Sequence, residues 1–356
     1  MAATVPRIGR LPSGARDAIT DVAGVTVGHA TLDSGDVQTG VTVVRPHGGD
    51  PFLQRVPAGF AVLNGFGKSV GLVQVEELGV LETPIALTNT FSVPAVAAAQ
   101  IRQCVAAHRE CGRSLPTVNP LVFECNDGYL NDIQRMAVTE ADYLQAWQAA
   151  DESFAQGAVG AGRGMSSFSL KGGIGSASRR ADAYMVGALV LANYGQLDHL
   201  RIAGHAVGER IAAQLADAAA PTQAEPEKGS IIILIATDAP LDARQLRRLS
   251  LRAGAGLART GSVFGHGSGD IALAFSTAYT LPLLADAPMP AVTLLHDGLL
   301  DVLFHAVADS VEQAILHALW RATTVVGRNG HRRPSLADVL RNWPHDAFAF
   351  SNVPPA

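Results

Sequence analysis

The feature that most restricts the fold of this chain is the run Ile231-Ile-Ile-Leu-Ile235, which starts directly after Gly229-Ser230 with no turn between them. An unbroken aliphatic run of this length reads as a buried strand, and it falls far short of the roughly 18 apolar residues that span a bilayer. Ahead of it lies the clearest break in composition, the stretch 217–229, DAAAPTQAEPEKG, which has two prolines and no large apolar side chain. That stretch reads as an exposed connector.

Other short apolar runs bounded by Gly, Asn or Asp predict further strands: Phe60-Ala-Val-Leu63, Pro84-Ile-Ala-Leu87, Pro120-Leu-Val-Phe123, and residues 185–191, 271–275 and 291–295. Helical spacing marks 94–111, with Ile101 and Val105 four apart, and the series Leu246, Leu249, Ala253, Leu257. Ser310 and Gln313 form a capping box ahead of Ile315, Leu316 and Leu319, with Gly327 as the expected C-cap. Strands and helices mix without the strict alternation of a doubly wound sheet, and no repeat of 20–50 residues occurs. A layered α/β (α+β) fold is therefore expected.

Composition excludes several classes. At 48% hydrophobic and 17% charged residues, 356 residues are enough to bury a large core, so disorder is excluded. Lys and Arg number 27 against 32 Asp and Glu, a net charge of −5 with no basic cluster, so nucleic acid is not an expected partner. The cysteines Cys104, Cys111 and Cys125 contain no C-x-x-C pair and read as reduced, buried thiols. Residues 1–21 carry Arg7, Arg10, Arg16, Asp17 and Asp21 but no apolar stretch, so no secretory signal is expected and the cytoplasm is the expected compartment.

Two familiar patterns are decoys. Gly65-Phe-Gly-Lys68-Ser69 resembles the end of a Walker A loop, but that motif's first glycine would fall on Val62. Gly67-Lys-Ser69-Val-Gly71 satisfies G-x-S-x-G, a pentapeptide that arises by chance in a chain with 36 glycines. An α/β-hydrolase-type esterase using Ser69 stays as one alternative. The histidines show no metal-ligand spacing, and His266 and His296-Asp297 read as turn residues, so no catalytic metal is expected. Gly160-Ala-Gly-Arg-Gly164 and Lys171-Gly-Gly-Ile-Gly175 lack G-x-G-x-x-G spacing and read as backbone packing rather than an anion cradle.

Gly229-Ser230 carries a chemical possibility. If the peptide bond before Ser230 were opened, the serine would own both a hydroxyl nucleophile and an α-amine of pKa about 7.7–8.0, which can take the hydroxyl proton without a histidine. Gly229, lacking Cβ, tolerates the strained backbone that an N-to-O acyl shift needs. Equally, Gly-Ser before a strand serves as an ordinary turn.

The segments Gly229-Ser230-Ile-Ile-Ile-Leu-Ile-Ala-Thr-Asp238 and Gly267-Ser268-Gly-Asp270-Ile-Ala-Leu-Ala-Phe resemble the self-processing, N-terminal-serine aminopeptidases of the DmpA type, the L-aminopeptidase/D-esterases and β-peptidyl aminopeptidases. Similar stretches at 17–29, 74–77, 81–90, 124–132, 160–179 and 192–195 extend the resemblance over nearly the whole chain. It implies a four-layer α/β/β/α sandwich, Ntn-hydrolase-like with different connectivity, made as a single domain 1–356 and cut between Gly229 and Ser230. By position, Ser230 matches the nucleophile, and Ser268 and Asp270 match a hydroxyl and an acid that position its α-amine. Asn193 matches the oxyanion donor, and Glu124 the carboxylate that pairs with the substrate ammonium. Tyr129 matches a pocket residue, while the chain departs from relatives that place an aromatic near Asn126. The resemblance further implies small peptide, amide or ester substrates with a free N-terminal amine, no cofactor, and a homo-oligomer of cleaved protomers. A non-processing binding or assembly protein of the same fold is the remaining alternative.

Overall fold

The computed structural model describes residues 4–216 and 229–343. The connector expected at 217–229 therefore lies, except for Gly229, outside the described residues. Four strands, β1 (Thr26–Ser34), β2 (Val37–Arg45), β5 (Ile85–Asn89) and β6 (Leu121–Cys125), form one sheet in the order β1-β2-β5-β6. The second sheet contains β3 (Gln54–Gly65), β4 (Val80–Leu81), β9 (Gly173–Ala181), β10 (Tyr184–Asn193), β13 (Ser230–Thr237), β14 (Gly269–Ser276) and β15 (Leu281–Pro282). Its order is β15-β3-β14-β13-β10-β9, with β4 paired to β3. Small hairpins are β7/β8 (Ser166–Ser167, Leu170–Lys171), β11/β12 (Arg201–Ile202, His205–Ala206) and β16/β17 (Val325–Val326, Arg332–Arg333).

The helices are α1 (Leu72–Leu78), α2 (Val93–Ala107), α3 (Glu140–Gln148), α4 (Gly208–Ala216), α5 (Ala243–Arg259), α6 (Leu300–Trp320) and the short α7 (Leu336–Val339). Helices α2 and α3 cover one face of the four-stranded sheet through Val96, Ala99, Tyr143 and Ala146 against Val41, Val43 and Val122. The two sheets face each other through Val44, Leu87, Phe123, Leu189, Ile232, Leu234 and Phe275. Helices α5 and α6 close the outer side of the second sheet. The result is the four-layer α/β/β/α sandwich.

Strand β13 explains the aliphatic run. Ile231, Ile233 and Ile235 point into the helix-side core while Ile232, Leu234 and Ala236 point between the sheets, so no position faces water and no alternation is visible. Burying each large aliphatic side chain contributes about 1.5–3 kcal/mol. The strand lies between β10, antiparallel, and β14, parallel, and its first residue is thereby held from both sides.

Three local expectations need correction. Ser310 and Gln313 do not cap a helix: α6 begins at Leu300, because Leu300, Leu303 and Val307 carry the apolar stripe upstream. Gln313 instead accepts from the Ile8 N–H at 2.8 Å and donates to the Pro6 carbonyl at 3.2 Å, tying the N-terminal segment to the helix. Gly327 lies beyond the helix end at Trp320; its requirement is space, since a Cβ would stand 2.0 Å from the Leu130 carbonyl. Residues 291–295 form no strand but an irregular segment held at Leu295, whose N–H donates to Pro240 O at 2.9 Å. Pro288 and Pro290 remove backbone donors just before it.

On β1, His29 bridges β2 and the segment at Ala155: its Nδ1 accepts from Thr42 Oγ1 at 2.9 Å, a hydroxyl that also accepts from the Ala161 N–H at 3.1 Å, and its Nε2–H donates to Ala155 O at 3.0 Å. Burial lowers its pKa from 6.5 to about 4, the bond to Ala155 opposing. The unfolded chain gains this proton as pH falls through 6.5 and the folded protein does not until about 4, so stability present above 6.5 is lost across that window. With the ring partly exposed, we expect about 2 kcal/mol of acid sensitivity from this residue. Denaturant titrations near neutrality and at about pH 4.5 check it: His29→Asn should lose about 2 kcal/mol less than the parent on acidification. Equal losses would refute the assignment.

Candidate functional site

The site is built where β10, β13 and β14 meet. Ser230 opens β13; the register sets Asn193, the last residue of β10, directly across from it on one side and Gly269 on the other. Ser230 is 6% exposed and Asn193 5%. The Gly269 N–H is shared between two acceptors, Ser230 Oγ at 3.1 Å and the Gly229 carbonyl at 3.3 Å. One donor therefore touches both the hydroxyl and the carbonyl oxygen of the Gly229–Ser230 peptide bond. Gly229 does not occupy the left-handed region, so its role is spatial: a Cβ would stand 2.4 Å from Asn193 O and 2.6 Å from Tyr194 Cα.

The carboxamide of Asn193 is oriented at both ends. Its Oδ1 accepts from the Ser166 N–H at 2.8 Å, and its Nδ2 donates to Asn126 O at 3.0 Å, which engages one amide hydrogen and leaves a second to point elsewhere. On the opposite flank, Ser268 Oγ donates to Asp270 Oδ1 at 2.5 Å, both side chains being buried. Asp270 pairs with Asn64, and the ladder between β14 and β3 slips just after it, a bulge of the kind that re-aims strand ends.

Glu124 sits near the end of β6, 3% exposed. Oε1 accepts from the Lys68 N–H at 2.8 Å and Oε2 from Thr90 Oγ1, and no Lys, Arg or His pairs with it among the described residues. A buried carboxylate with hydrogen bonds but no counter-charge has the chemistry to accept a cation. Gly67 joins this group to the nucleophile: a Cβ built there would lie 3.7 Å from Glu124 Oε1 and 3.8 Å from Gly269 Cα. Next to Glu124, the Cys125 thiol reaches the Ser230 carbonyl at 3.4 Å. Burial raises that thiol's pKa well above its ordinary value and keeps it protonated.

The structure thus brings Ser230, Asn193, Ser268 and Asp270 together at adjoining strand ends, with Glu124 on the far side of Gly67. Tyr129 is placed differently. Its half-exposed ring stacks on His331 with centroids 4.6 Å apart, and the Arg333 guanidinium lies 3.7 Å from the ring centroid. Arg333 links it to the site, its Nε donating to Ser166 Oγ at 3.2 Å. Ser69 lies in the loop between β3 and α1 that bends onto Glu124, and its buried hydroxyl meets no histidine. That arrangement gives no nucleophile elbow.

Sequence reasoning missed the backbone donors of Gly269, Ser166 and Lys68, and the Thr90 hydroxyl. Backbone groups leave no residue-type signal; Gly-Ser-Gly-Asp at 267–270 is the one hint, because a glycine next to a strand start allows close approach.

Over residues 17–333 the sequence matches peptidase family S58. It is 38% identical to the β-peptidyl aminopeptidase BapA of Sphingosinicella xenopeptidilytica, over 94% of this chain and 87% of that protein. Among solved structures it is similar to a Burkholderia sp. β-aminopeptidase, with TM-score 0.85, 41% identity, and 95% and 98% of the two chains covered. It is also similar to the L-aminopeptidase D-Ala-esterase/amidase of Ochrobactrum anthropi, described as a variant of the Ntn hydrolase fold. There the TM-score is 0.85 and the identity 34%, with 95% of each chain covered.

Proposed function

The chain belongs to peptidase family S58, and on that footing we propose that it is a serine aminopeptidase with an N-terminal nucleophile. In this reading a precursor opens its own Gly229–Ser230 bond and the cut form then removes N-terminal residues from short peptides, amides or esters. The observation that carries it is the shared Gly269 N–H, which contacts the hydroxyl that would attack and the carbonyl that would be attacked.

In maturation, Ser230 Oγ adds to the Gly229 carbonyl carbon and Gly269 N–H donates to the oxygen that becomes negative. The C–N bond breaks as the nitrogen takes a proton, leaving an ester that water hydrolyses to a Gly229 carboxylate and a Ser230 α-amine. In turnover that amine accepts the proton of its own hydroxyl, Oγ attacks the substrate carbonyl, and the proton passes to the departing amine. Water then releases the acyl group. The second Nδ2 hydrogen of Asn193 serves the oxyanion, and the hydrogen-bonded pair Ser268–Asp270 positions the α-amine. Glu124 takes the substrate ammonium, which confines the enzyme to unblocked N-termini.

The relatives named for β-peptides are 38% and 41% identical and the one named for L- and D-Ala substrates 34%, so β-amino acyl amides are the first substrates to assay. A homo-oligomer of cleaved protomers in the cytoplasm belongs to the same reading; exposed Leu284, Met289, Leu294 and Leu299 offer apolar surface for it. The smaller band on a denaturing gel, sequenced from its N-terminus, should begin Ser-Ile-Ile-Ile. An intact chain whose activity is lost in Ser69→Ala would favour the esterase instead, and an intact inert chain a binding protein.

A further inference from the structure

Lys171 is 0% exposed, and its ammonium takes no part in the chemistry described above. It lies within ion-pair distance of no carboxylate among the described residues. Instead it donates to three carbonyls, Gly162 at 2.8 Å, Met165 at 2.7 Å and Gly172 at 2.8 Å. Three converging acceptors call for three donors, the number a protonated amine has. Burying such a charge costs several kcal/mol, and an apolar side chain of the same length would fill the space without that cost.

The three carbonyls belong to residues 162–165 and 172, which flank the Asn193 end of β10 on the side away from Ser230. Met165 immediately precedes Ser166, whose N–H orients the Asn193 carboxamide, and Gly172 precedes Gly173, which pairs with Ala192. The same hairpin, β7/β8, turns at Phe168 and Ser169 with φ of 53° and 57°, both left-handed without a glycine. Such a turn persists only where its surroundings over-determine it. Phe168 N–H donates to Tyr194 O at 2.9 Å, and its ring fills the space beside Gly195, where a Cβ would stand 2.4 Å from Phe168 Cε1. The hairpin grips the strand just past Asn193, and Lys171 locks the hairpin.

We infer that Lys171 is a positioning residue for the oxyanion donor: by tying the Gly162, Met165 and Gly172 carbonyls it fixes the Ser166 N–H against Asn193 Oδ1 and so aims the Asn193 amide hydrogens. The inference rests on the reading of Asn193 as oxyanion donor given above. Without the ammonium the segment relaxes, the carboxamide rotates, and the transition state loses its donor while Glu124 still binds the substrate amine.

The test is a double-mutant cycle of Lys171→Met and Asn193→Ala, reading kcat and KM of the cleaved protein, or the self-cleavage rate where precursor accumulates. Asn193→Ala should cost about 10²–10³ in rate. Lys171→Met should cost about 30–100-fold in kcat with KM changed by less than about threefold, and should cost almost nothing further in the Asn193→Ala background. An equal loss in both backgrounds, or a change in KM alone, overturns the inference. If Lys171→Met yields no folded protein, Ser166 decides: Ser166→Pro removes the N–H and Ser166→Ala keeps it, so the proline variant should be at least about 30-fold slower than the alanine variant. Equal rates overturn the positioning role. Asn193→Ala at the parent rate would instead sink the oxyanion reading, and this inference with it.

Discussion

Replacing Ser230 by alanine should leave one uncut polypeptide of 356 residues with hydrolytic activity lower by about 10⁴-fold or more, the scale of losing a covalent nucleophile. Both effects have one cause. The Ser230 hydroxyl is the group that shares the Gly269 N–H with the Gly229 carbonyl, so its removal deprives the precursor of its attacking atom. The α-amine that would serve as base never forms. Ser268→Ala keeps both groups and loses only the hydroxyl that donates to Asp270 Oδ1, so part of each activity should remain. Gel bands and single-turnover acyl release measure the two steps separately, and a Ser230→Ala protein that still cuts itself would refute the mechanism.

Glu124→Gln should produce the second large effect. Glutamine preserves the shape and can still accept from the Lys68 N–H, but it removes the charge from a site where no side-chain cation compensates it among the described residues. Breaking a buried ion pair by neutralising one partner costs about 3–5 kcal/mol. That corresponds to roughly 10²–10³ or more in kcat/KM for substrates with a free amine. A deamino analogue of the same substrate forms no such pair and should be hydrolysed by parent and variant alike. The measurement is the ratio of kcat/KM for the two substrates, expected to collapse in the variant; an unchanged ratio would place amine recognition elsewhere.

How far the fold could be read depended on what each element buries. Strands β13 and β14 and helix α5 announce themselves, because aliphatic runs and 3.6-residue spacing survive when the cover is other hydrophobic layers. Strands β1, β2 and β9 were not anticipated. Their interiors hold Gly, Ser, Thr, His and Arg, made tolerable by specific bonds: Ser176 Oγ to Ala188 O at 2.7 Å, and Arg179 to Ile8 O and Gln313. Pattern reasoning sees polarity there and stops. The helix α6 start was misplaced for the opposite reason, since Ser310 and Gln313 look like a cap yet make long-range bonds inside the core.

For the site, residue types alone offered only Gly229-Ser230 before a strand; Asn193, Ser268, Asp270 and Glu124 came from resemblance, because strand register, invisible in sequence, brings them together. The Gly229 position suggests backbone freedom from its sequence, whereas its structural need is space, with the Asn193 and Tyr194 backbone pressed against it. The segment 171–175 was read as glycine packing, which describes Gly172, Gly173 and Gly175, but Lys171 in the same stretch went unread.

Cutting at Gly229–Ser230, as proposed, would leave two parts interleaved in one sheet. Along the second sheet, β15, β14 and β13 derive from the part after residue 229, and β3, β10 and β9 from the part before it, so the two are dovetailed as β15-β3-β14-β13-β10-β9. Pulling them apart would strip the partners from both long edges of the β13–β14 pair and from the inner edges of β3 and β10, exposing rows of bare amides and carbonyls. Neither half is a domain in its own right. In the proposed cut form, opening the Gly229–Ser230 bond would free a chain end without creating a dissociable subunit, because each part completes the other's sheet.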